Sequence, residues 1–219
     1  MSLFNFVADL LYPPRCKFCG ALTDRTAWEP CKKCPPELWL KGAQAIIPGT
    51  HFARCVCTAR YQGKLREQVR RFKFENHPDH AKAYGPMLAK TIRFYLPGAY
   101  DLVTWVPVSP QTLKDRGYDQ ARLLAEETAR ALGQEAIPLL AKTGRNRTQS
   151  SLEGADRRWK NVRGFYTVPG PALLTGKRVL VIDDILTTGA TLEAAARALR
   201  QAGAVQVVAA AFCWTPTKE

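Results

Sequence analysis

Val179-Leu-Val-Ile-Asp-Asp-Ile-Leu-Thr-Thr-Gly-Ala-Thr191 is the stretch around which this chain is organised. Its four leading apolar residues, Val179, Leu180, Val181 and Ile182, form the short run expected of a strand covered on both faces, as in a parallel sheet under helices. Asp183 and Asp184 are expected to end that strand, at the edge where open α/β sheets hold ligands. After Thr187, Thr188, Gly189, Ala190 and Thr191 the pattern turns helical, with Leu192, Ala196 and Leu199 on one face. The start of a helix has backbone N–H groups without intrahelical partners. Threonine hydroxyls stand beside them here, so a phosphate group is a natural guest. Gly189 lets the backbone come close to it. Two carboxylates one ribose away can accept hydrogen bonds from sugar hydroxyls or hold a hydrated Mg²⁺. The plain alternative is a capped helix after a strand that happens to carry two acids, yet adjacent acids ending an apolar run ask for a cation or a polyol.

Hydrophobic strand, Asp183-Asp184, then Thr187-Thr-Gly-Ala-Thr191 resembles the phosphoribosyl pyrophosphate (PRPP) binding motif of type I phosphoribosyltransferases. That resemblance implies an α/β fold with a parallel sheet flanked by helices. It also implies that Asp183 and Asp184 meet the ribose and are the catalytic pair, while Thr187, Thr188, Gly189, Ala190 and Thr191 hold the 5′-phosphate.

The chain has 219 residues, enough for one α/β domain and a small appendage, and its 46% hydrophobic content allows a real core. Thirty-two Lys and Arg against nineteen Asp and Glu give a formal charge of +13. Such an excess concentrates polyanions, so nucleic acid, an acidic membrane surface or a polyphosphate substrate are candidate partners, and a merely solvated basic surface is the alternative. Residues 3 to 12 are apolar but interrupted by Asp9, with basic residues after them rather than before, the wrong order for a secretory signal. No run approaches the ~20 apolar residues of a spanning helix. A cytoplasmic location is expected, where thiols stay reduced and seven cysteines need a purpose other than disulfides.

Four of them have one. Cys16-Lys-Phe-Cys19 and Cys31-Lys-Lys-Cys34, with eleven residues between, form the paired turns that aim four thiolates at one structural Zn²⁺. Four thiolates leave no open position for substrate, and so small a unit would draw its folding energy from the ion. Cys55, Cys57 and Cys213 read as small core residues, with a partial second metal site as the alternative for the first two. Pro35, Pro36, Pro48 and Gly49 punctuate the following stretch, so residues 1–50 are expected to be the zinc ribbon and its linker, and 51–219 the larger domain.

Residues 55 to 61 read as a strand and 64 to 74 as a helix. Leu65, Val69 and Phe72 form its buried stripe, while Arg66, Arg70 and Lys73 repeat the same interval one residue on as a solvent-facing basic ridge. Nine Lys or Arg against three Asp or Glu lie between Ala59 and Arg93. Interleaved Phe74, Tyr84 and Phe94 are either core or stacking surfaces for bases. His77 and His80, around Pro78, are expected in an exposed turn. Residues 101 to 106 read as the first strand of the parallel core, ended by Pro107-Val-Ser-Pro110. Asp119 is expected to cap the helix that carries Leu124, Thr128 and Ala131, and Arg116 is either a phosphate contact or a surface residue. Residues 141 to 165 lack a period and carry seven Lys or Arg against Glu153 and Asp156. There Arg145, Arg147, Gln149 and Ser150 have the chemistry of a lid over a departing pyrophosphate, with a solvated loop as the alternative.

The cysteine array, Arg116-Gly-Tyr-Asp-Gln120, and Arg147-Thr-Gln-Ser-Ser-Leu152 with Arg158, Asn161, Gly164 and Phe165, in that order ahead of the PRPP motif, resemble the ComF family associated with natural competence for DNA uptake. Asp119 stands where that family commonly has Asn. The resemblance implies a zinc ribbon, a phosphoribosyltransferase-like domain, PRPP or another phosphoribosyl ligand accompanied by Mg²⁺, and the handling of incoming single-stranded DNA. It also implies docking to DNA-uptake proteins and, in a PRPP-binding fold, a pyrophosphate site in the loop at Ser109. Two functions follow. One is a Mg²⁺-dependent phosphoribosyltransferase acting on an unidentified acceptor. The other is a nucleic-acid-binding module that holds a phosphoribosyl ligand without turnover and docks single strands on Arg66, Arg70 and Lys73.

Overall fold

A computed structural model describes residues 13–23, 28–142 and 165–215. After the four-cysteine unit come the short strand β1 (Ile46–Ile47), β2 (Cys55–Arg60), α1 (Gly63–Phe74), α2 (Ala81–Tyr95) and β3 (Leu102–Trp105). Next are α3 (Pro110–Arg116), α4 (Gln120–Leu132), β4 (Ala141–Lys142) and β5 (Tyr166–Thr167). The chain closes with β6 (Arg178–Leu186), α5 (Ala190–Gln201) and β7 (Gln206–Trp214). Five strands form one sheet in the order β1-β2-β7-β6-β3, parallel except for β1, which runs antiparallel to β2.

The central strands are apolar nearly throughout, because both faces are covered. On one face α1, α2 and α4 bring Leu65, Val69, Phe72, Leu88, Ile92 and Leu124 against Leu180, Ile182, Val208 and Phe212. On the other, α5 packs Leu192, Ala195, Ala196 and Leu199 against Val179, Val181, Val207 and Ala209. Helices α2 and α4 approach so closely that a Cβ at Gly85 would lie 2.5 Å from Glu127 Cβ and 2.8 Å from its backbone carbon. Glycine is required there for space alone.

Three expectations change. The strand expected to end at Asp183 and Asp184 runs on to Leu186, because β7 pairs with it all the way to Trp214. The parallel set begins at β2 rather than at residues 101 to 106, and β3 lies at the far edge. The stretch expected as linker contributes β1 to the main sheet, and Trp39 bridges to Ala59. The four-cysteine unit itself is seated on the same core. Phe18 is fully buried, with its ring 5.6 Å from Trp39, 5.5 Å from Tyr84 and 6.4 Å from Phe212.

Candidate functional site

β6 outruns β3. Trp105 is level with Ile182, and Val106 N–H donates to the Ile182 carbonyl at 3.0 Å before the chain turns away. Asp183 and Asp184 are the next residues of β6, so a crevice opens beside them at the carboxyl edge of the sheet. Successive residues of a strand point to opposite faces. Both acids nonetheless line one cavity of about 420 Å³, which wraps around the strand end. Tyr61 after β2, Lys73 and Phe74 at the end of α1, and Val106, Pro107 and Val108 after β3 form part of its wall. Arg116, Gln120, Lys142, Tyr166, Thr187 and Thr191 complete most of the rest.

Lys73 is not on the solvent ridge. Its Nζ lies 3.0 Å from Asp184 Oδ1 and 2.9 Å from Oδ2, in a pair whose side chains are only 20% and 9% exposed. The helical interval places Lys73 in line with Arg66 and Arg70, but it stands in the last turn, where a four-carbon stem reaches over the strand edge. Arg66 and Arg70 are exposed as expected, and Arg66 sits 5.8 Å above the Tyr61 ring. Asp183 Oδ1 accepts the Asp184 backbone N–H at 2.8 Å. Burial, then the neighbouring Asp184 charge, push the Asp183 carboxyl well above the usual carboxylate range, with Lys73 acting against them. The cavity therefore concentrates two acids against Lys73, Arg116 and Lys142.

The segment Arg116-Gly-Tyr-Asp-Gln120 holds the end of α1 in place. Gly117 ends α3 in the left-handed region at φ 79°. The Tyr118 hydroxyl donates to the Phe72 carbonyl, and Gln120 Nε2 donates to the Lys73 carbonyl at 3.2 Å. Arg116 stacks its guanidinium 4.6 Å from the Phe74 ring centre and donates to Gln120 Oε1 at 3.1 Å. Asp119 caps α4 as expected, accepting from Arg122 N–H at 3.1 Å, and its second oxygen accepts from Val108 N–H at 3.1 Å. A carboxylate thus ties the loop after β3 to α4 by accepting two backbone donors, a task an amide oxygen shares only in part. Burial raises the Asp119 carboxyl, opposed by these backbone donors.

Gly189 adopts φ 79°, and α5 starts with no side-chain hydrogen bond from that cap position; the N–H groups of a first helical turn lack intrahelical acceptors. Thr187 and Thr191 line the cavity, whereas Thr188 Oγ1 accepts from Ala190 N–H at 3.4 Å. Glu193, in the first turn, accepts from Thr50 N–H at 2.6 Å, His51 N–H at 2.8 Å and His51 Nδ1 at 2.9 Å. Ser109 is a helix cap: its Oγ accepts from Thr112 N–H at 3.1 Å, and its neighbours Pro107 and Val108, not Ser109, line the cavity. Arg145, Arg147, Gln149 and Ser150 lie outside the described residues. Sequence reasoning missed Tyr61, Lys142, Tyr166 and Gln120. Tyr61 follows a parallel strand at its carboxyl end, and treating residues 55 to 61 as part of the parallel set would have marked it.

The four cysteines converge. Cys16 Sγ lies 3.6 Å from Cys34 Sγ, Cys19 Sγ 3.5 Å from Cys31 Sγ, and Cys31 Sγ 3.9 Å from Cys34 Sγ. A tetrahedron with ~2.3 Å zinc–sulfur bonds spaces its sulfurs about 3.8 Å apart, so the set fits Zn²⁺. Burial, then the Cys16 charge, push the Cys34 thiol far above its ordinary value, and a bound cation would act against both. Cys55, Cys57 and Cys213 are fully buried. His80 departs from the exposed turn expected of it: it is 2% exposed, packed against Phe72 and Tyr84, and burial pushes its imidazole down to about 4.

The pattern described as Phosphoribosyl transferase domain matches residues 119–219, which include both acids and the turn after them. The chain is 28% identical over 202 residues to "Competence protein ComFC" of Streptococcus pneumoniae, covering 88% of this chain and 84% of that protein. It is 26% identical over 210 residues to "DNA utilization protein YhgH" of Escherichia coli O157:H7, covering 91% and 90%. Among solved structures, the glutamine PRPP amidotransferase of B. subtilis is similar at a TM-score of 0.44 and 22% identity, over 64% of this chain and 30% of that one. A competence protein and a DNA utilization protein similar over most of their length, a matching phosphoribosyltransferase domain and four convergent cysteines ahead of it make this chain similar to ComF-type proteins, with a type I phosphoribosyltransferase-like α/β domain.

Proposed function

We propose that the cavity binds the phosphoribosyl group of PRPP, and that the chain serves natural competence in the cytoplasm by handling incoming single-stranded DNA. The observation that carries the pocket reading is the pair Asp183 and Asp184 lining one cavity with Thr187, Thr191, Lys73, Arg116 and Lys142. Asp183 and Asp184 accept the ribose hydroxyls, and the turn from Thr187 to Thr191 receives the 5′-phosphate with its hydroxyls and N–H groups. Lys73 already neutralises Asp184, so both carboxylates can share a small cavity with a polyanion. Asp183 and Asp184 would hold the Mg²⁺ that accompanies PRPP, and the ion would supply further charge neutralisation. Arg145, Arg147, Gln149 and Ser150 are proposed to cover the pyrophosphate.

If turnover occurs, the bond from C1 to the pyrophosphate oxygen breaks as a bond from C1 to the acceptor forms. The cationic wall then stabilises the leaving group electrostatically. No histidine stands among the described lining residues, so an acceptor that brings its own nucleophile fits best. Phe74, 60% exposed beside the Arg116 guanidinium, offers a face on which a planar base can stack. Calorimetric titration with PRPP and Mg²⁺ tests the pocket. Asp183→Asn and Asp184→Asn are each expected to weaken binding roughly tenfold or more, from the loss of charge-assisted hydrogen bonds. Unchanged affinity in both variants contradicts the assignment.

The second reading, a module that binds without turnover, is favoured by exposed Arg66 and Arg70 on α1, leading toward Tyr61 and Phe74 at the cavity wall. Absence of pyrophosphate release with a panel of bases and amines supports it. Replacing Arg66 and Arg70 together is expected to reduce the slope of log affinity for single-stranded DNA against log salt by about 1.4, two contacts at ~0.7 each. An unaltered slope removes the ridge from the interface.

A further inference from the structure

The turn between α1 and α2, His77-Pro-Asp-His80, gathers three metal-ligating side chains whose donor atoms all lie within 4.8 Å of one another. Asp79 Oδ1 is 3.5 Å from His80 Nδ1 and 4.0 Å from His77 Nδ1. The His80 side chain is only 3% exposed. Its Nε2 lies 3.4 Å from Gln68 Oε1, an oxygen that can only accept, so the ring N–H belongs on Nε2 and the lone pair on Nδ1. That Nδ1 is buried without a hydrogen-bond partner, and it faces a carboxylate oxygen that also can only accept. Two lone pairs opposed at this distance, one of them on a side chain only 3% exposed, call for a cation between them.

We propose that His77 Nδ1, Asp79 Oδ1 and His80 Nδ1 form a second metal site, distinct from the four-cysteine site, for a divalent ion of the zinc type with a water in its fourth position. Two imidazoles and one carboxylate suit Zn²⁺ among common first-row ions. Ligands at ~2.1 Å around a tetrahedral ion stand about 3.4 Å apart. His80 and Asp79 already have that spacing, and His77, 44% exposed, is free to close the remaining gap. The surroundings are those of a built site. Gln68 fixes the tautomer of His80, and Lys17 holds the second oxygen of Asp79, so each inner ligand is oriented by a partner of its own. Gln68 also abuts the cysteine turn, since a Cβ at Gly20 would meet its Nε2 at 2.7 Å. An ion here would pin the segment leaving α1, directly after Lys73 and Phe74.

Metal content of the full chain, equilibrated with buffered excess Zn²⁺ and measured by elemental mass spectrometry, is expected to be two ions per chain. His77→Ala removes a half-exposed ring and leaves the fold intact. It is expected to hold one ion, as is Asp79→Asn. With Co²⁺ as the probe, the second equivalent should add visible ligand-field bands without further sulfur-to-metal charge transfer. Gln68→Leu should weaken that equivalent about 10- to 100-fold. One ion in the wild-type chain, a second ion kept by His77→Ala at full affinity, or a second equivalent bearing a thiolate band from Cys55, Cys57 or Cys213 overturns the site.

Discussion

Exchanging Cys34 for serine, or withdrawing zinc with a chelator, is expected to lower the thermal midpoint of the whole chain in one transition. The cysteine unit is not an appended bead. Cys16, Phe18 and Cys19 belong to the same core cluster as Tyr84, Leu88 and Phe212, and the Tyr84 hydroxyl donates to the Lys17 carbonyl at 2.9 Å. Structural zinc contributes apparent binding energies of ~10–16 kcal/mol in isolated fingers, against a net stability of ~5–15 kcal/mol for a typical domain. Freeing Phe18 alone would forfeit about 2–3 kcal/mol of apolar burial and uncover the Tyr84 and Phe212 rings. Calorimetry of the loaded, stripped and Cys34→Ser proteins reads the effect. A first transition confined to the amino-terminal segment, with the main transition unmoved, would contradict the shared core.

Lys73→Met is expected to injure stability and ligand binding together. The change keeps most of the apolar stem and removes the only charged group within 3.0 Å of both Asp184 oxygens among the described residues. Leaving a largely buried carboxylate without its cation costs about 3–5 kcal/mol. The lower end applies here, since the Lys73 side chain is one-fifth exposed. The second variant, Asp184→Asn with Lys73→Met, should recover most of that loss, giving a coupling of about 2 kcal/mol or more. PRPP affinity should stay at least tenfold down in the double variant, because the acid and the base would both be missing from the cavity. Denaturant unfolding of the four proteins in the cycle, beside calorimetric titration, separates the two effects. A single variant within 0.5 kcal/mol of wild type would mean that the pair is absent in solution.

Lys73 also shows where sequence reasoning stops. Periodicity correctly put Leu65, Val69 and Phe72 inside, since all three are buried, and an apolar run followed by two acids, a glycine and threonines was enough to locate the crevice. Angular position on a helix does not report reach, so a lysine in the last turn was grouped with Arg66 and Arg70 although its ammonium lies in the cavity. His80 was obscured in the same way. A Pro-containing turn reads as exposed, while burial here comes from Phe72 and Tyr84 on two different helices. Lys142 and Tyr166 are partners in a separate two-stranded sheet of β4 and β5, while Tyr61 follows β2 of the main sheet, so only the packing of the two sheets brings all three to the cavity. Ser109 differs in another way: its hydroxyl is engaged in a local cap to Thr112, and the cavity wall is formed by Pro107 and Val108 before it.

The Glu193 clamp joins distant parts of the chain in a way that limits how the protein can be divided. Its carboxylate takes the backbone donors of Thr50 and His51 from within the first turn of α5, immediately after the threonine-rich turn. The pitch of that helix, and with it the direction in which its amino end faces an arriving anion, is therefore inherited from residues that precede the first parallel strand. Any truncated version lacking them would carry the whole threonine-rich turn aimed without its brace.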